Sequence, residues 1–304
     1  MQFIDTYNNY YVSYPLSNHC ILLRYGNTDV NLTQPIIEHV ADENNNIYTV
    51  TAISSNAFNN ENSRHIISIY CPYILIIYDN AFYNCSSLRT IHCPRTTYLG
   101  KKVFKACTEL THITMPLLKS IGEQAFHSCK NITEIDFPLV TVLGNEAYQY
   151  CNSLCTISLP LITSISDRCF QFCTNIENIN CPNVTSIGKQ ALYACKTLSD
   201  ISFPLVTVME DRAFQFCVKL KSVICPELTT INDQVFYNCV SLTNLEAPKV
   251  THIGTQCFYN CALLPCTDVP DTVTYVGINA FGSYDGIVEY VSILNSYKSD
   301  FDDI

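Results

Sequence analysis

PLLKSIGEQAFHSCKNITEIDF, residues Pro116–Phe137, is one turn of a pattern that fills most of this chain. Its first residue belongs to a series of ten prolines, Pro72, Pro94, Pro116, Pro138, Pro160, Pro182, Pro204, Pro226, Pro248 and Pro270, each 22 residues after the last. Nine cysteines from Cys85 to Cys261 keep the same step. The shared template is P-x-φ-x-x-I-G-x-x-A-F-x-x-C-x-x-L-x-x-I-x-φ, with φ apolar. A fixed period of this length marks a solenoid of stacked coils, in which no coil buries its apolar edge alone.

Spacing within the unit predicts local shape. Ile135 and Phe137 are two apart and share one face of an extended strand. Pro138 has no N–H to continue the ladder and closes that strand. Ala125, Phe126 and Cys129 stand at helical spacing, which predicts a short turn of α- or 3₁₀-helix there. Stacking then aligns the Ile, Phe, Leu and Cys positions into internal ladders. Strands at the same point of successive coils run parallel. At about 4.8 Å per coil, ten or eleven coils make a face roughly 50 Å long.

The run L-x-x-I-x-φ-P followed by I-G-x-x-A-F-x-x-C resembles the BspA-like leucine-rich repeat family, also called the Treponema pallidum type. The resemblance spans roughly Val50 to Phe281. It implies an α/β repeat solenoid, a leucine-rich-repeat horseshoe or curved array, and a cell-surface or secreted adhesion role. It brings no catalytic residues.

Three segments are expected: an N-terminal cap over 1–46, repeats over 47–281, and a C-terminal cap over 282–304. VTAISSNAF (Val50–Phe58) aligns with VTVLGNEAY (Val140–Tyr148), and VPDTVTYVGINAF (Val269–Phe281) forms a last, longer coil. Apolar runs at Cys20–Leu23 and Pro35–Val40 suggest a small hairpin over the first coil. Tyr290–Ile304 resembles a short terminal helix closing the other end, where an open edge would invite self-association.

The chain has 304 residues, 48% hydrophobic and 14% charged, with net charge −10. The acidity argues against nucleic acid or an anionic membrane as partner. No apolar stretch is long enough to cross a bilayer, so no membrane insertion is expected. Residues 1–16 are polar, and no secretion signal is read there. Location therefore rests on the family resemblance alone.

Eighteen cysteines could signal a disulfide framework. Their pattern favours buried free thiols instead. Nine share the ladder position. Cys71, Cys93, Cys181 and Cys225 precede Pro, where other coils carry Met115, Phe137, Leu159 and Phe203, so that position is a hydrophobic slot. Bonds between neighbouring coils are the alternative. Cys169 and Cys173, like Cys257 and Cys261, are four apart, but Cys simply replaces the template Ala, and no metal is expected. No nucleotide, zinc-protease or serine-hydrolase motif occurs. The reading is no enzyme and no cofactor.

The binding face is expected on the outward strand positions, which are small, hydroxyl-rich and mildly acidic. Glu134, Asp136, Glu177 and Asp200 form the central candidate cluster. His92 and His112, on strands of adjacent coils, share that face. An ordinary exposed Ser/Thr-rich sheet would read similarly. A second candidate is the residue before each ladder Cys, aromatic at Tyr150, Phe172 and Phe216 but small or polar elsewhere. These rings either form a contact patch or pack on one another. The expected function is a non-enzymatic scaffold for a protein or glycan partner; the alternative is a structural or assembly module of a larger surface protein or appendage.

Overall fold

A computed structural model describes residues 2–5, 8–13, 17–26, 33–264 and 270–282. The chain winds as a succession of short strands and turns. Four strands come first: β1 (Gln2–Ile4), β2 (Tyr10–Ser13), β3 (His19–Arg24) and β4 (His39–Ala41). After β5 (Ile47–Ile53), strands alternate between a front and a back row. They are β6 (Ser68–Tyr70), β7 (Ile76–Ile77), β8 (Thr90–His92), β9 (Tyr98–Leu99), β10 (His112–Thr114), β11 (Ser120–Ile121), β12 (Glu134–Asp136), β13 (Val142–Leu143) and β14 (Thr156–Ser158). The series continues through β15 (Ser164–Ile165), β16 (Asn178–Asn180), β17 (Ser186–Ile187), β18 (Asp200–Ser202), β19 (Val208–Met209), β20 (Ser222–Ile224), β21 (Thr230–Ile231), β22 (Asn244–Glu246), β23 (His252–Ile253) and β24 (Tyr275–Val276).

Even-numbered strands from β6 to β22 form the front, and their pairing is parallel with a 22-residue register, as in Ile91↔Ile113. The template Ile of each front strand points inward, and most are nearly inaccessible.

The short helical turn does not form. The 3₁₀ turn Glu61–Ser63 is the sole helical element among the described residues. The template's G-x-x-A-F-x-x-C stretch instead makes linked reverse turns. Ala125, His127 and Cys129 donate their N–H groups to the carbonyls of Gly122, Gln124 and Phe126 in the same coil. The intervening donors, Gln124, Phe126 and Ser128, reach Asn145, Ala147 and Gln149 of the next coil at 2.8–2.9 Å. A helix would need every N–H directed within its own segment. Here alternate donors face sideways because Gln124 and Ser128 are left-handed, at φ 56° and 62°. This turn row links successive coils through backbone hydrogen bonds, as a strand ladder does.

Rings stacked at 4.5–5.6 Å run through the interior: Tyr25, Phe58, Phe82, Phe104, Phe126, Tyr148 and Phe170, then Phe214, Phe236, Phe258 and Phe281 after the interruption at Leu192. Tyr25 supplies the first rung from outside the repeats. The ladder cysteines do more than fill space. Each Sγ from Cys107 to Cys261 lies 3.0–3.4 Å from the carbonyl of the aromatic or Leu rung one coil back. That carbonyl already accepts the N–H of its own coil's Cys, so the thiol satisfies its second lone pair.

Ahead of the repeats, β1, β2 and β3 form an antiparallel meander whose last strand joins β5 in parallel. β4 pairs antiparallel with β5. Two matching turns shape this region. Asp5 binds Asn9 and the Tyr11 hydroxyl; Asp42 binds Asn46 and the Tyr48 hydroxyl. These bonds hold the Asp42 carboxyl below its ordinary range. The tail Tyr290–Ile304, where a terminal helix is expected, lies outside the described residues.

Candidate binding face

The front row is not one continuous sheet. It divides into three blocks of three strands, β6–β8–β10, β12–β14–β16 and β18–β20–β22. Within a block, backbone donors cross at each step, for example Thr111 N–H to the Arg89 carbonyl at 2.9 Å and Cys155 N–H to that of Thr133 at 2.8 Å. No strand pairing joins β10 to β12 or β16 to β18. The turn row continues across the first break, with Phe104 N–H on the Ala125 carbonyl at 2.7 Å. The break is therefore confined to the front surface.

A cleft of about 180 Å³ opens at that first seam, lined by residues 111–114 and 134–137. Glu134 and Asp136, two apart on β12, project on its outward side with His112 of β10. All three are exposed. The His112 ring Nδ1 meets the Thr111 hydroxyl at 2.8 Å. His92 stands apart: it pairs in register with Thr114 and stacks on Tyr70 with centroids 5.1 Å apart. Glu177 and Asp200 flank the second seam, Glu177 just ahead of β16 and Asp200 on β18, where it accepts the Ser199 hydroxyl at 2.6 Å. Glu134 and Asp200 are three coils apart, about 14 Å at the usual strand spacing. Among the described residues none of these four carboxylates is in an ion pair. The arrangement offers uncompensated negative charge along a strand face, with two seams where backbone groups lack strand partners.

Among the described residues no group of three His, Cys, Asp or Glu side chains is placed to hold a metal ion. Cys169 and Cys173 are both buried, and the Cys173 thiol faces the Tyr148 carbonyl at 3.0 Å.

The second candidate set is joined into a longer file. Tyr150 stacks on Phe172 at 4.9 Å, and Phe172, Tyr193, Phe216 and Tyr237 follow edge-to-face at 5.2–5.8 Å. Tyr237 stacks on Tyr259, and His127 meets Tyr150 at the other end. Tyr193, Tyr237 and Tyr259 escaped the sequence reading because they stand one position earlier in their coils. The signal was there: Gln149-Tyr150, Gln171-Phe172 and Gln215-Phe216 alternate with Tyr193-Ala194, Tyr237-Asn238 and Tyr259-Asn260. Each of these coils places one ring, from whichever of two adjacent positions. Tyr150, Phe172 and Phe216 sit at φ 62–63°, a left-handed conformation that is uncommon for bulky side chains.

The profile of the BspA type leucine rich repeat region matches residues 44–155, 119–227 and 185–299. The chain belongs to this family. A leucine rich cell surface protein from Faecalibacterium prausnitzii A2-165 is 25% identical, with a TM-score of 0.61 over 93% of this chain and 86% of that one. A leucine-rich repeat protein from Bacteroides ovatus ATCC 8483 shares the fold at 24% identity, with a TM-score of 0.55 over 96% of each chain. No curated protein sequence matches. Proteins of this BspA-type family are typically interaction or surface proteins and generally non-enzymatic. No helix among the described residues is long and apolar enough to cross a membrane.

Proposed function

We propose that this chain is a non-enzymatic recognition scaffold whose front strand face engages a protein or glycan partner at the cell surface. The observation that carries this reading is the cleft between β10 and β12, an interrupted edge lined by His112, Glu134 and Asp136. Unpaired carboxylates on a rigid face suit a partner with exposed Lys or Arg, because the solenoid presents them with little ordering cost. The adhesion role and surface location draw support from the cell surface relative. In this reading residues 1–46 and 282–304 cap the two ends of the repeats 47–281.

The test is a binding titration of the intact chain against immobilised basic peptides and a glycan panel, repeated at rising salt. A variant with Glu134→Gln, Asp136→Asn, Glu177→Gln and Asp200→Asn is expected to stay folded and to lose binding to the basic peptides. Equal binding by both proteins would refute the acidic site. Loss of binding in Phe172→Asn alone would move the site to Tyr150, Phe172 and Phe216; Asn occupies that left-handed position in other coils, such as Asn238. An assembly module is the second reading, favoured by β1, which ends its sheet with Ile4 53% exposed.

A further inference from the structure

The slot before each template Pro carries Cys71, Cys93, Met115, Phe137, Leu159, Cys181, Phe203, Cys225 and Ala247 in successive coils. Only at its first two places do cysteines follow each other. Cys181 and Cys225 have Phe203 between them. The parallel register Tyr70↔His92 sets Cys71 and Cys93 side by side immediately beyond β6 and β8. The Cys71 N–H donates to the His92 carbonyl at 2.8 Å, which fixes the two backbones one strand spacing apart. That spacing, about 4.8 Å, lies inside the Cα separation of about 4.4–6.8 Å that a disulfide tolerates. Both side chains are wholly inaccessible, and after burial itself the neighbouring Cys93 thiol is what holds the Cys71 thiol above its ordinary range.

The nine ladder cysteines are differently placed. Their sulfurs are engaged by backbone carbonyls of the preceding coil, Cys85 on Phe58 at 3.6 Å and Cys107 on Phe82 at 3.1 Å. Pairing two of them would break such a bond. Cys71 and Cys93 make no hydrogen bond of that kind among the described residues.

From this juxtaposition we infer that Cys71 and Cys93 are a redox-closable clamp, a dithiol that becomes an inter-coil disulfide when the chain meets an oxidising environment. The oxidant is a small disulfide such as oxidised glutathione. One cysteine thiolate attacks it, releases one glutathione thiolate and forms a mixed disulfide. The second cysteine thiolate then attacks the protein sulfur of that intermediate and releases the second glutathione. The two thiol protons pass through solvent to the two glutathione thiolates, the protein dithiol is oxidised, and the small disulfide is reduced to two thiols.

The position gives the clamp its consequence. β6 is the first front strand. Its outer edge holds residues 33–37, with Tyr70 N–H on the Pro35 carbonyl at 3.2 Å and Ile37 N–H on the Tyr70 carbonyl at 2.9 Å. A Cys71–Cys93 bond ties this first strand, and the segment docked on it, to the coil behind. It removes the fraying route at this end of the front row, where β6 has a repeat coil on one side and only residues 33–37 on the other. Burial keeps the closed bond from exchange, so it forms while that end is open.

The experiment uses the full chain, opened partway in moderate urea and returned to buffer with oxidised and reduced glutathione. Free thiols are then alkylated in full denaturant, and the protein is digested without reduction for mass spectrometry. The expected result is a linked peptide pair joining Cys71 to Cys93, with loss of alkylation at both. The bonded form should melt above the reduced form, and dithiothreitol added in the same moderate urea should reverse the shift. Cys93→Met, which places there the residue the next coil carries as Met115, should stay folded and show no shift. Recovery of both cysteines alkylated after the glutathione treatment overturns the inference. So does either cysteine bonded to a ladder thiol such as Cys85, or a linked form that melts no higher than the dithiol.

Discussion

Replacing Tyr148 with Phe should stabilise this protein, against the usual direction of a core substitution. Tyr148 occupies a rung of the interior ring stack, fully buried, with centroids 5.1 Å from Phe126 and 5.6 Å from Phe170. Its hydroxyl has no hydrogen-bond partner among the described residues. Removing it releases a desolvation penalty of about 1–3 kcal/mol. The void left is one oxygen in size, roughly 10 Å³, and costs only about 0.2 kcal/mol. The ring, its stacking and the carbonyl that accepts the Cys173 thiol are untouched. The expected gain is therefore about 1–3 kcal/mol, read as a higher urea midpoint at unchanged slope. The reverse change, Phe126→Tyr, should lose a similar amount, because it adds an orphan hydroxyl to a rung that lacks one. A Tyr148→Phe variant that unfolds at lower urea would refute the reasoning, since it would mean that a buried water or thiol satisfies the hydroxyl.

Truncating a rung outright, as in Phe126→Ala, should cost about 3–5 kcal/mol; an unchanged melting curve would show that the ring is not in the core. Burial pushes the ladder thiols up, Cys217 and Cys261 to about 12 from an ordinary 9.0. Above pH 9 the unfolded chain thus releases protons that the folded chain keeps. Stability should be complete below that pH and fall between about 9 and 12, by roughly 1.4 kcal/mol per pH unit per thiol. Urea midpoints across this range should fall less steeply for Cys217→Ala. In the native state a thiol reagent should modify Cys155 before any other described cysteine, since it alone is partly exposed; mass mapping after brief exposure reads the order.

The front strands were legible because their evidence is local. Ile135 and Phe137 alternate about Asp136, Pro138 ends the run, and the same spacing returns in every coil. The end of the array was legible in part: Val50–Phe58 matches a repeat, and its Phe58 does take its place in the ring stack beside Phe82. The helical turn was misread for a physical reason. Ala125, Phe126 and Cys129 are buried at helical spacing, yet periodicity reports only which side chains turn inward. It does not report where the amides point. Gln124 and Ser128 take left-handed backbone without being Gly, and nothing in either residue type announces this. The cost of that conformation is met by bonds to Asn145 and Gln149, which lie a full coil away in sequence.

The acidic residues could be named from the template but not grouped. Glu134 and Asp136 share β12 by simple alternation. Their company with His112, and the separation of His92, follow from register and from the gap between β10 and β12. The aromatic file shows the same limit: two adjacent positions exchange the ring from coil to coil, and only stacking distances reveal Tyr193 and Tyr237 as members beside Phe172 and Phe216.

By itself, then, the sequence determined the coil: a 22-residue unit with an inward set of Ile, Phe, Leu and Cys, because burial of a repeated pattern admits one way of stacking. Tertiary structure alone decided how the coils are stitched, where the front sheet parts, and which thiols face a carbonyl and which face each other. Those outcomes depend on hydrogen bonds between residues 22 or more apart, whose geometry is set by the neighbouring coil and not by the residue that makes them.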